Sequence, residues 1–269
     1  MIDSQLKASS RKLIVAARVQ GRVIRALMLR EAVARFGHEN LGFFWLFIEP
    51  LLLGGAVALM WTFAGLHNGQ GVGIVPFALA SYSMLTLWRH ICSQSIRVLH
   101  RNANLLFHRN VKVIDVLIAQ VSLESIAGMA GFTIAFSVMN ILGIVGNMED
   151  PLAAALGWIL MAWFGWSFSL VIAGLTELYE AAEHLVQPFL YLTLPLTGAL
   201  YMVLWLPSSA QAAVMWSPLA HLFEMFRSGL FGQHMSAEWS VPYVVAWCLG
   251  LMAIGLPLLR IAQARFVAS

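Results

Sequence analysis

Hydrophobic and polar positions divide this chain into two unequal parts. Over residues 1–43, basic and apolar residues alternate at helical spacing, which predicts a cytoplasmic amphipathic helix at the membrane interface. From residue 44 to residue 269, apolar stretches are separated by short polar turns. Most of these stretches are close in length to the about 20 residues that a helix needs to cross a bilayer. Six spans are predicted, at about 44–63, 74–90, 116–145, 152–175, 185–201 and 241–259. The predicted fold class is therefore an all-α polytopic membrane protein.

Composition excludes a soluble globular protein. The 269 residues are 60% hydrophobic and only 11% charged, and their mean hydropathy is +0.78. A single soluble core cannot hide so many apolar side chains, since its surface would need far more charge. The sixteen Lys and Arg residues flank the predicted spans and form no stripe interleaved with aromatics, which argues against a nucleic-acid-binding protein.

The positions of the basic residues predict the orientation of the chain. They are concentrated in the N-terminal segment and in the loop after the second span, where no acid occurs between Arg89 and Lys112. Because positively charged loops remain on the cytoplasmic side, both segments are predicted to be cytoplasmic. The sixth span ends at Arg260 and Arg265, so both termini are predicted to be cytoplasmic.

The N-terminal helix has one basic and one apolar face. Arg18, Arg22 and Arg25 share a narrow face opposite Leu27 and Met28. Such a helix is suited to lie in the headgroup layer with its apolar face in the acyl boundary, held by anionic headgroups.

Two features inside the membrane part differ from plain spans. Residues 202–240 are too apolar for a solvated loop but are interrupted by Pro207, Pro218 and Gly229, which predicts short re-entrant helices before the last span. Glu124 in the third span is a candidate intramembrane acid. It is predicted to be a paired structural group, with a partner that the sequence does not identify.

A motif at the entry to the first span resembles a known family. It contains Arg30-Glu31 and Arg35, followed by the family-motif residues Phe36, Gly37, Gly42, Trp45, Glu49 and Pro50. Their order and spacing resemble the entry motif of the membrane subunit of type-2 ABC exporters that move polysaccharide, most closely the capsular polysaccharide export permease of Gram-negative bacteria. Because Pro50 suits the first turn of a helix, Glu49 is predicted to cap the span start rather than to contact substrate.

A second motif lies in the basic loop, at residues 102–112. It is similar to the short helix by which the capsule permease docks on its ATP-binding partner, although Val113 stands where that family usually has proline. A brief helix that exposes Leu105, Leu106 and Phe107 beside a basic rim can insert these apolar residues into a groove of a partner. From the residues alone, an ordinary basic juxtamembrane loop is the alternative. The predicted coupling residues are Asn104, Leu105, Leu106, Phe107 and Arg109.

A third motif begins at Ser217 and is similar to the family pattern Asn-Pro-x-x-His-x-x-Glu-x-x-Arg, with serine in place of asparagine. It lies on the predicted outer side, before the last span. The predicted outer gate residues are Pro218, His221, Glu224 and Arg227. The last three share one helical face and are expected to pair there. We interpret them as structural residues of the gate region rather than as sugar ligands.

The resemblance implies function and partners. It implies an ATP-driven exporter of capsular, lipid-linked, anionic polysaccharide, built from a homodimer of this chain and two ATP-binding subunits, with a periplasmic export adaptor as a further partner. No cofactor or metal is predicted in this chain, because the glycine-rich ATP motif ending in Lys and Ser or Thr is absent, and ATP and Mg are assigned to the partner subunit. This chain is therefore not expected to be an enzyme. The arginines expected to meet the polymer at the cytoplasmic entrance are Arg18, Arg22, Arg25, Arg30 and Arg35.

Two alternatives remain from the sequence. One is the same architecture with another cargo, such as O-antigen or teichoic acid. The other is a channel or secondary carrier, which would act without an ATP-binding partner. The chain has no visible internal repeat, which counts against a carrier built from inverted repeats.

Overall fold

The computed structural model describes residues 2–36, 73–106, 111–232 and 238–268, together with positions 52, 55, 56 and 59. Side chains are described from residue 16 to residue 34 of the first helix and up to residue 266 of the last. All regular elements in these ranges are helical, which confirms the predicted all-α class there. The helices are α1 Ile2–Phe36, α2 Ile74–Gln94, α3 Val98–Arg101, α4 Ala103–Leu106, α5 Val113–Ile141, α6 Pro151–Leu178, α7 Glu180–Leu192, α8 Leu194–Thr197, the 3₁₀ helix Val203–Trp205, α9 Ser208–Val214, α10 Pro218–Phe231 and α11 Val241–Ala268.

Three of the described helices are long and apolar enough to cross a membrane. They are Val113–Ile141, Pro151–Leu178 and Val241–Phe266. They correspond to the predicted third, fourth and sixth spans. The predicted first span, 44–63, lies outside the described residues apart from four isolated positions.

Local capping explains where α5 begins and ends. The Asp115 carboxylate accepts a hydrogen bond from the Lys112 N–H at 3.0 Å, so the helix starts a turn before the predicted residue 116. At the other end, Gly143 has φ of 73° and the Ile144 N–H bonds the Met139 carbonyl at 2.9 Å. This is a glycine C-cap, and it stops the helix before the predicted residue 145.

The predicted fifth span differs most from the structure. The sequence predicted one segment over 185–201, whereas the chain forms α7 and α8 with a break at Thr193. Pro195 has no N–H to donate to the Tyr191 carbonyl, and its ring would collide with that carbonyl in a continuous helix. Gly198, with φ of 70°, then ends the short α8. The 13 residues of α7 measure only about 20 Å, less than a bilayer core.

Short helices occupy residues 203–231, within the segment predicted to be re-entrant. In α10 every residue from Leu219 to Leu230 is buried. A helix that is buried on all sides belongs inside a bundle rather than on its surface. The arrangement of this segment relative to a membrane remains a prediction.

The central helix is α6, which packs against α2, α5, α10 and α11. Two of its crossings are possible only because glycine carries no side chain. A Cβ atom on Gly229 of α10 would lie 2.3 Å from the Ala154 backbone nitrogen, and one on Gly255 of α11 would lie 2.7 Å from the Leu170 Cβ. Small residues allow the close backbone approach that is common where helices pack within membranes.

We call one end of this bundle the basic end, because the chain segments that meet there carry most of the basic residues. A hydrophobic cluster at this end joins five helices, α1, α3, α5, α6 and α11. Its buried members are Leu27, Val98, Leu99, Val113, Val116, Leu117, Ala119, Leu170, Ala173, Leu259 and Ala262. We call it the basic-end cluster. The short helix α3 is therefore packed into the same core as the long helices.

Candidate functional site

The chain leaves α2 through a strained turn at the basic end. Arg97 has φ of 47°, and it is the one non-glycine residue with positive φ in the described ranges. This left-handed conformation costs about 1–2 kcal/mol for a residue with a Cβ atom. The Arg97 N–H donates to the Thr176 Oγ1 of α6 at 3.1 Å. The strained turn is thus held by a direct hydrogen bond to the central helix.

Glu177 continues this attachment. Its carboxylate is 1% exposed, and Oε1 accepts hydrogen bonds from the Leu99 N–H at 2.7 Å and from the His100 N–H at 3.4 Å. Its other oxygen, Oε2, lies 2.5 Å from the His100 Nδ1. The free N–H groups at a helix start attract negative charge, so an acid from α6 completes the first turn of α3. We call Arg97, Leu99, His100, Thr176 and Glu177 the Glu177 corner.

Further contacts surround the corner. The Arg97 Nη1 lies 3.1 Å from the Glu183 Oε2 and 3.9 Å from the Glu180 Oε1. Glu180 is 89% exposed, so its longer contact contributes little. The Phe266 ring of α11 meets the His100 ring edge-on, with centroids 4.9 Å apart. The corner therefore connects α3 to three other helices, α6, α7 and α11.

The predicted coupling residues follow the corner directly. Asn104 is exposed, whereas Leu105 and Leu106 are half-buried and pack against the basic-end cluster. The sequence predicted that these two leucines would be exposed. They are instead partly covered, because they pack against the basic-end cluster. Phe107 and Arg109 lie outside the described residues.

The N-terminal helix packs against protein. Leu27 is buried, and Val23, Ile24 and Met28 contact the basic-end cluster. The Gln20 side chain donates a hydrogen bond to the buried Asp115 carboxylate at the start of α5. The apolar face predicted to enter the acyl boundary is thus at least partly used against α5.

The predicted entrance arginines lie on the outside of α1. Arg18, Arg22, Arg25 and Arg30 are exposed, and the side chain of Arg35 is not described. Phe36 ends α1. The other family-motif residues lie outside the described ranges, and they are Gly37, Gly42, Trp45, Glu49 and Pro50.

The structure supplies partners for Glu124, whose sequence context did not identify any. The Gln94 amide of α2 donates to its Oε1, and the His90 Nδ1 lies 3.5 Å from its Oε2. These contacts also explain why α2 continues to Gln94, four residues beyond the predicted end. The polar residues of its last turn are used against α5.

At the opposite end of the bundle, the predicted gate residues form one buried pair. Pro218 is the first residue of α10, and the Arg227 Nη2 lies 2.6 Å from the Glu224 Oε1. Both side chains are at most 1% exposed. The i, i+3 contact is therefore present, whereas His221 bonds elsewhere, with its Nε2 2.9 Å from the Met215 carbonyl.

This pair holds the irregular chain between α8 and α9. The Arg227 Nη1 donates to the carbonyls of Gly198 at 3.0 Å and Tyr201 at 2.9 Å. Glu224 also accepts a hydrogen bond from the Val203 N–H at 3.3 Å. These charges satisfy internal backbone groups. The role of the motif in a gate stays a prediction.

Sequence reasoning missed the Glu177 corner. Glu177, Glu180 and Glu183 occupy the turn between the predicted fourth and fifth spans, which six alternating spans place on the cytoplasmic side. A usable signal existed, since this acidic turn and the basic loop after α2 have opposite charges and were predicted on the same side of the membrane. Such complementarity indicates that two loops meet, but it cannot select the backbone N–H groups that Glu177 contacts.

Comparison with known proteins places these features in a family. Residues 22–231 match the model of the ABC-2 type transporter family. The chain is 34% identical over 243 residues to the capsule polysaccharide export inner-membrane protein BexB of Haemophilus influenzae, covering 90% of this chain and 91% of BexB.

Two further relatives extend the comparison. The chain is 37% identical over 242 residues to the capsule polysaccharide export inner-membrane protein CtrC of Neisseria meningitidis serogroup A, covering 88% and 90% of the two chains. It is 25% identical over 260 residues to the polysialic acid transport protein KpsM of Escherichia coli, covering 93% and 97%. Membership of this family implies a transport component that works with an ATP-binding partner. The chain belongs to the ABC-2 type transporter membrane family.

Proposed function

We propose that this chain is the permease subunit of an ATP-driven exporter that moves capsular, lipid-linked, anionic polysaccharide from the cytoplasm across the bacterial inner membrane. The observation that carries the proposal is similarity over about nine tenths of the chain to BexB and CtrC, which are named as capsule polysaccharide export inner-membrane proteins. The all-helical fold and its apolar helices are consistent with that activity.

The proposed arrangement has six spans, the fifth of which is formed by α7 and α8 together, and both termini lie in the cytoplasm. The basic end faces the cytoplasm, because positively charged segments remain on that side. Two copies of the chain enclose the path, and two ATP-binding subunits, which hold ATP and Mg, dock beneath them. A periplasmic adaptor receives the polymer on the far side.

In this arrangement the Glu177 corner connects the docking segment to the membrane helices. A partner that pushes on Asn104, Leu105 and Leu106 acts on a segment that is bonded to α6 through Glu177 and Thr176. The same segment shares the basic-end cluster with α5 and α11. Closure of the ATP-binding subunits is therefore transmitted to the membrane helices through packed and hydrogen-bonded contacts. In the proposed cycle this movement opens the path for the polymer.

Charge changes in α4 test the docking step. We expect Asn104→Asp to weaken co-purification of the ATP-binding subunit by roughly tenfold. The new carboxylate would lie in the interface either unpaired or beside a charge of the same sign. Because Asn104 is exposed, the change should not disturb the fold of the permease. Leu106→Asp should abolish it. The measurement is the amount of partner that elutes with the tagged permease.

A matched variant controls for added charge. Gln263→Glu also converts an amide into a carboxylate at an exposed position near the basic end, on α11. It should leave co-purification unchanged. If Asn104→Asp, Leu106→Asp and Gln263→Glu all bind the partner equally well, α4 is not part of the docking surface.

A further inference from the structure

Helices α2 and α7 share a row of polar contacts. The Arg97 Nη1 lies 3.1 Å from the Glu183 Oε2, the Gln187 amide donates to the Ser93 Oγ at 2.9 Å, and the Arg89 guanidinium lies 4.2 Å from the centre of the Tyr191 ring. Arg89 and Ser93 lie four residues apart on α2, and Arg97 follows four residues later in the turn by which the chain leaves that helix. Glu183, Gln187 and Tyr191 have the same spacing on α7, so the row follows one face of each helix. We call it the polar ladder, formed by Arg89, Ser93, Arg97, Glu183, Gln187 and Tyr191.

The two arginines of the polar ladder differ in their partners. Arg97 is neutralised by Glu183 and approached by Glu180. In the described part of the chain, no carboxylate lies within ion-pair distance of Arg89, and its contact is the face of Tyr191. As far as the described residues are concerned, its guanidinium N–H groups remain available to an acceptor.

The position of Arg89 makes this availability significant. It lies five residues before the end of α2, about 7.5 Å inside the helix. A charged side chain within a span is costly unless it faces protein, water or a ligand, and such residues commonly mark transport paths. Arg89 is only partly exposed, whereas Tyr191 is 55% exposed and Gln187 is also exposed. The part of the polar ladder formed by Arg89, Gln187 and Tyr191 is therefore accessible in the single chain.

The chemistry of this patch suits an acidic sugar. A guanidinium binds a carboxylate through two parallel hydrogen bonds. The amide of Gln187 and the hydroxyl of Ser93 both donate and accept, which is what sugar hydroxyls require. The Tyr191 ring adds a flat apolar face beside a polar edge. A lipid phosphate would use the cation but has no need of the amide, the hydroxyl and the ring.

We propose that Arg89, Ser93, Gln187 and Tyr191 bind an acidic sugar unit of the transported polymer, with the carboxylate on Arg89 and the hydroxyls on Gln187 and Ser93. This assignment rests on the proposed export function and names its cargo chemistry, a polysaccharide that bears carboxylates. Arg97 and Glu183 hold α7 against the end of α2, on the side of the site that is nearer the basic end.

Binding of the native polymer tests the assignment. The permease and its ATP-binding subunit are purified together in lipid nanodiscs, and two probes are titrated. One is a set of short oligomers cut from the cells' own surface polysaccharide, and the other is the same oligomers after reduction of their carboxylates to alcohols. Arg89→Gln should weaken binding of the native oligomers by roughly tenfold to a hundredfold, the loss expected for a hydrogen bond to a charged group. Binding of the reduced oligomers should not change.

Three variants refine the result. Arg89→Lys should bind the native oligomers several-fold more weakly, since an ammonium keeps the charge but cannot form two parallel hydrogen bonds. Tyr191→Phe should bind them almost as well as the parent does. Arg260→Gln, which removes an exposed arginine of α11, controls for net charge and should bind normally. Elution volume and retention of the ATP-binding subunit report whether each variant is folded.

The outcomes separate the two proposals. If the parent complex binds native oligomers and Arg89→Gln binds them equally well, or if the native polymer carries no carboxylate, the ladder assignment is wrong and the export function stands. If Arg89→Gln changes only the dependence on phosphatidylglycerol in the nanodisc, Arg89 serves a lipid headgroup and the assignment is again wrong. If the parent complex binds neither probe, the proposed export function itself fails.

Discussion

Replacing Glu177 by alanine is expected to reduce surface polysaccharide by more than tenfold while the protein still folds. The Leu99 N–H and the His100 side chain lose their acceptor on α6, and leaving such groups unmatched costs about 1–3 kcal/mol. That cost falls on the contact between α3 and α6 rather than on the whole bundle. Amide hydrogen exchange at Leu99 and His100 should become faster, and ATP hydrolysis by the partner should continue without matching export.

Two neighbouring changes make this test specific. Glu177→Gln keeps a carbonyl oxygen for the Leu99 N–H and should have a smaller effect than alanine. Glu180→Ala removes an acid that is 89% exposed and 3.9 Å from Arg97, so export and exchange should stay at parental levels. Parental export by Glu177→Ala, or an equal loss in Glu180→Ala, would show that the Glu177 corner does not transmit movement.

Replacing Arg227 by methionine is expected to destabilise the protein strongly. Glu224 would remain fully buried without its counter-ion, and breaking a buried pair in this way costs about 3–5 kcal/mol. The carbonyls of Gly198 and Tyr201 would also lose their donor. We expect low yields of folded protein and a lower apparent melting temperature. Arg260→Met, at an exposed position on α11, should leave that temperature unchanged.

The double variant identifies the cause of the loss. Adding Glu224→Gln to Arg227→Met removes the uncompensated charge, so the double variant should melt above the single Arg227→Met variant. Together with the parent and the Glu224→Gln single variant, these two variants complete the cycle that measures the coupling between the two residues. If the double variant is no more stable than Arg227→Met, the ion pair is not the source of the stability, and the lost backbone hydrogen bonds are.

Local sequence signals were sufficient for much of the fold. The long helices α5, α6 and α11 follow from uninterrupted apolar stretches, and the Glu224–Arg227 contact follows from i, i+3 spacing on one helix. Both kinds of inference use residues that are neighbours in the chain. They need no knowledge of how the helices pack.

The break at Thr193 shows what hydropathy alone misses. Residues 185–201 are apolar throughout most of their length, so they read as one span, but Pro195 and Gly198 set the local backbone. The length of the interruption depends on which backbone groups find hydrogen-bond partners outside the helix. Here the Arg227 side chain donates a hydrogen bond to the Gly198 carbonyl in the turn that follows.

The long-range contacts between helices could not be predicted in the same way. Glu177 and Leu99 are 78 residues apart, and Arg89 and Tyr191 are 102 apart, and nothing in either segment specifies the other. Only packing brings them together. The sequence indicated which segments carry charge, and the structure shows which charges are used internally and which remain available.

Deleting the gene in its native cell and fractionating the long-chain polysaccharide tests the central claim most directly. The expected result is loss of polysaccharide from the cell surface, with lipid-linked polymer accumulating inside and surface polymer restored by the intact gene. Surface polysaccharide that is unchanged in amount and composition after the deletion would contradict the assignment of this permease to capsule export.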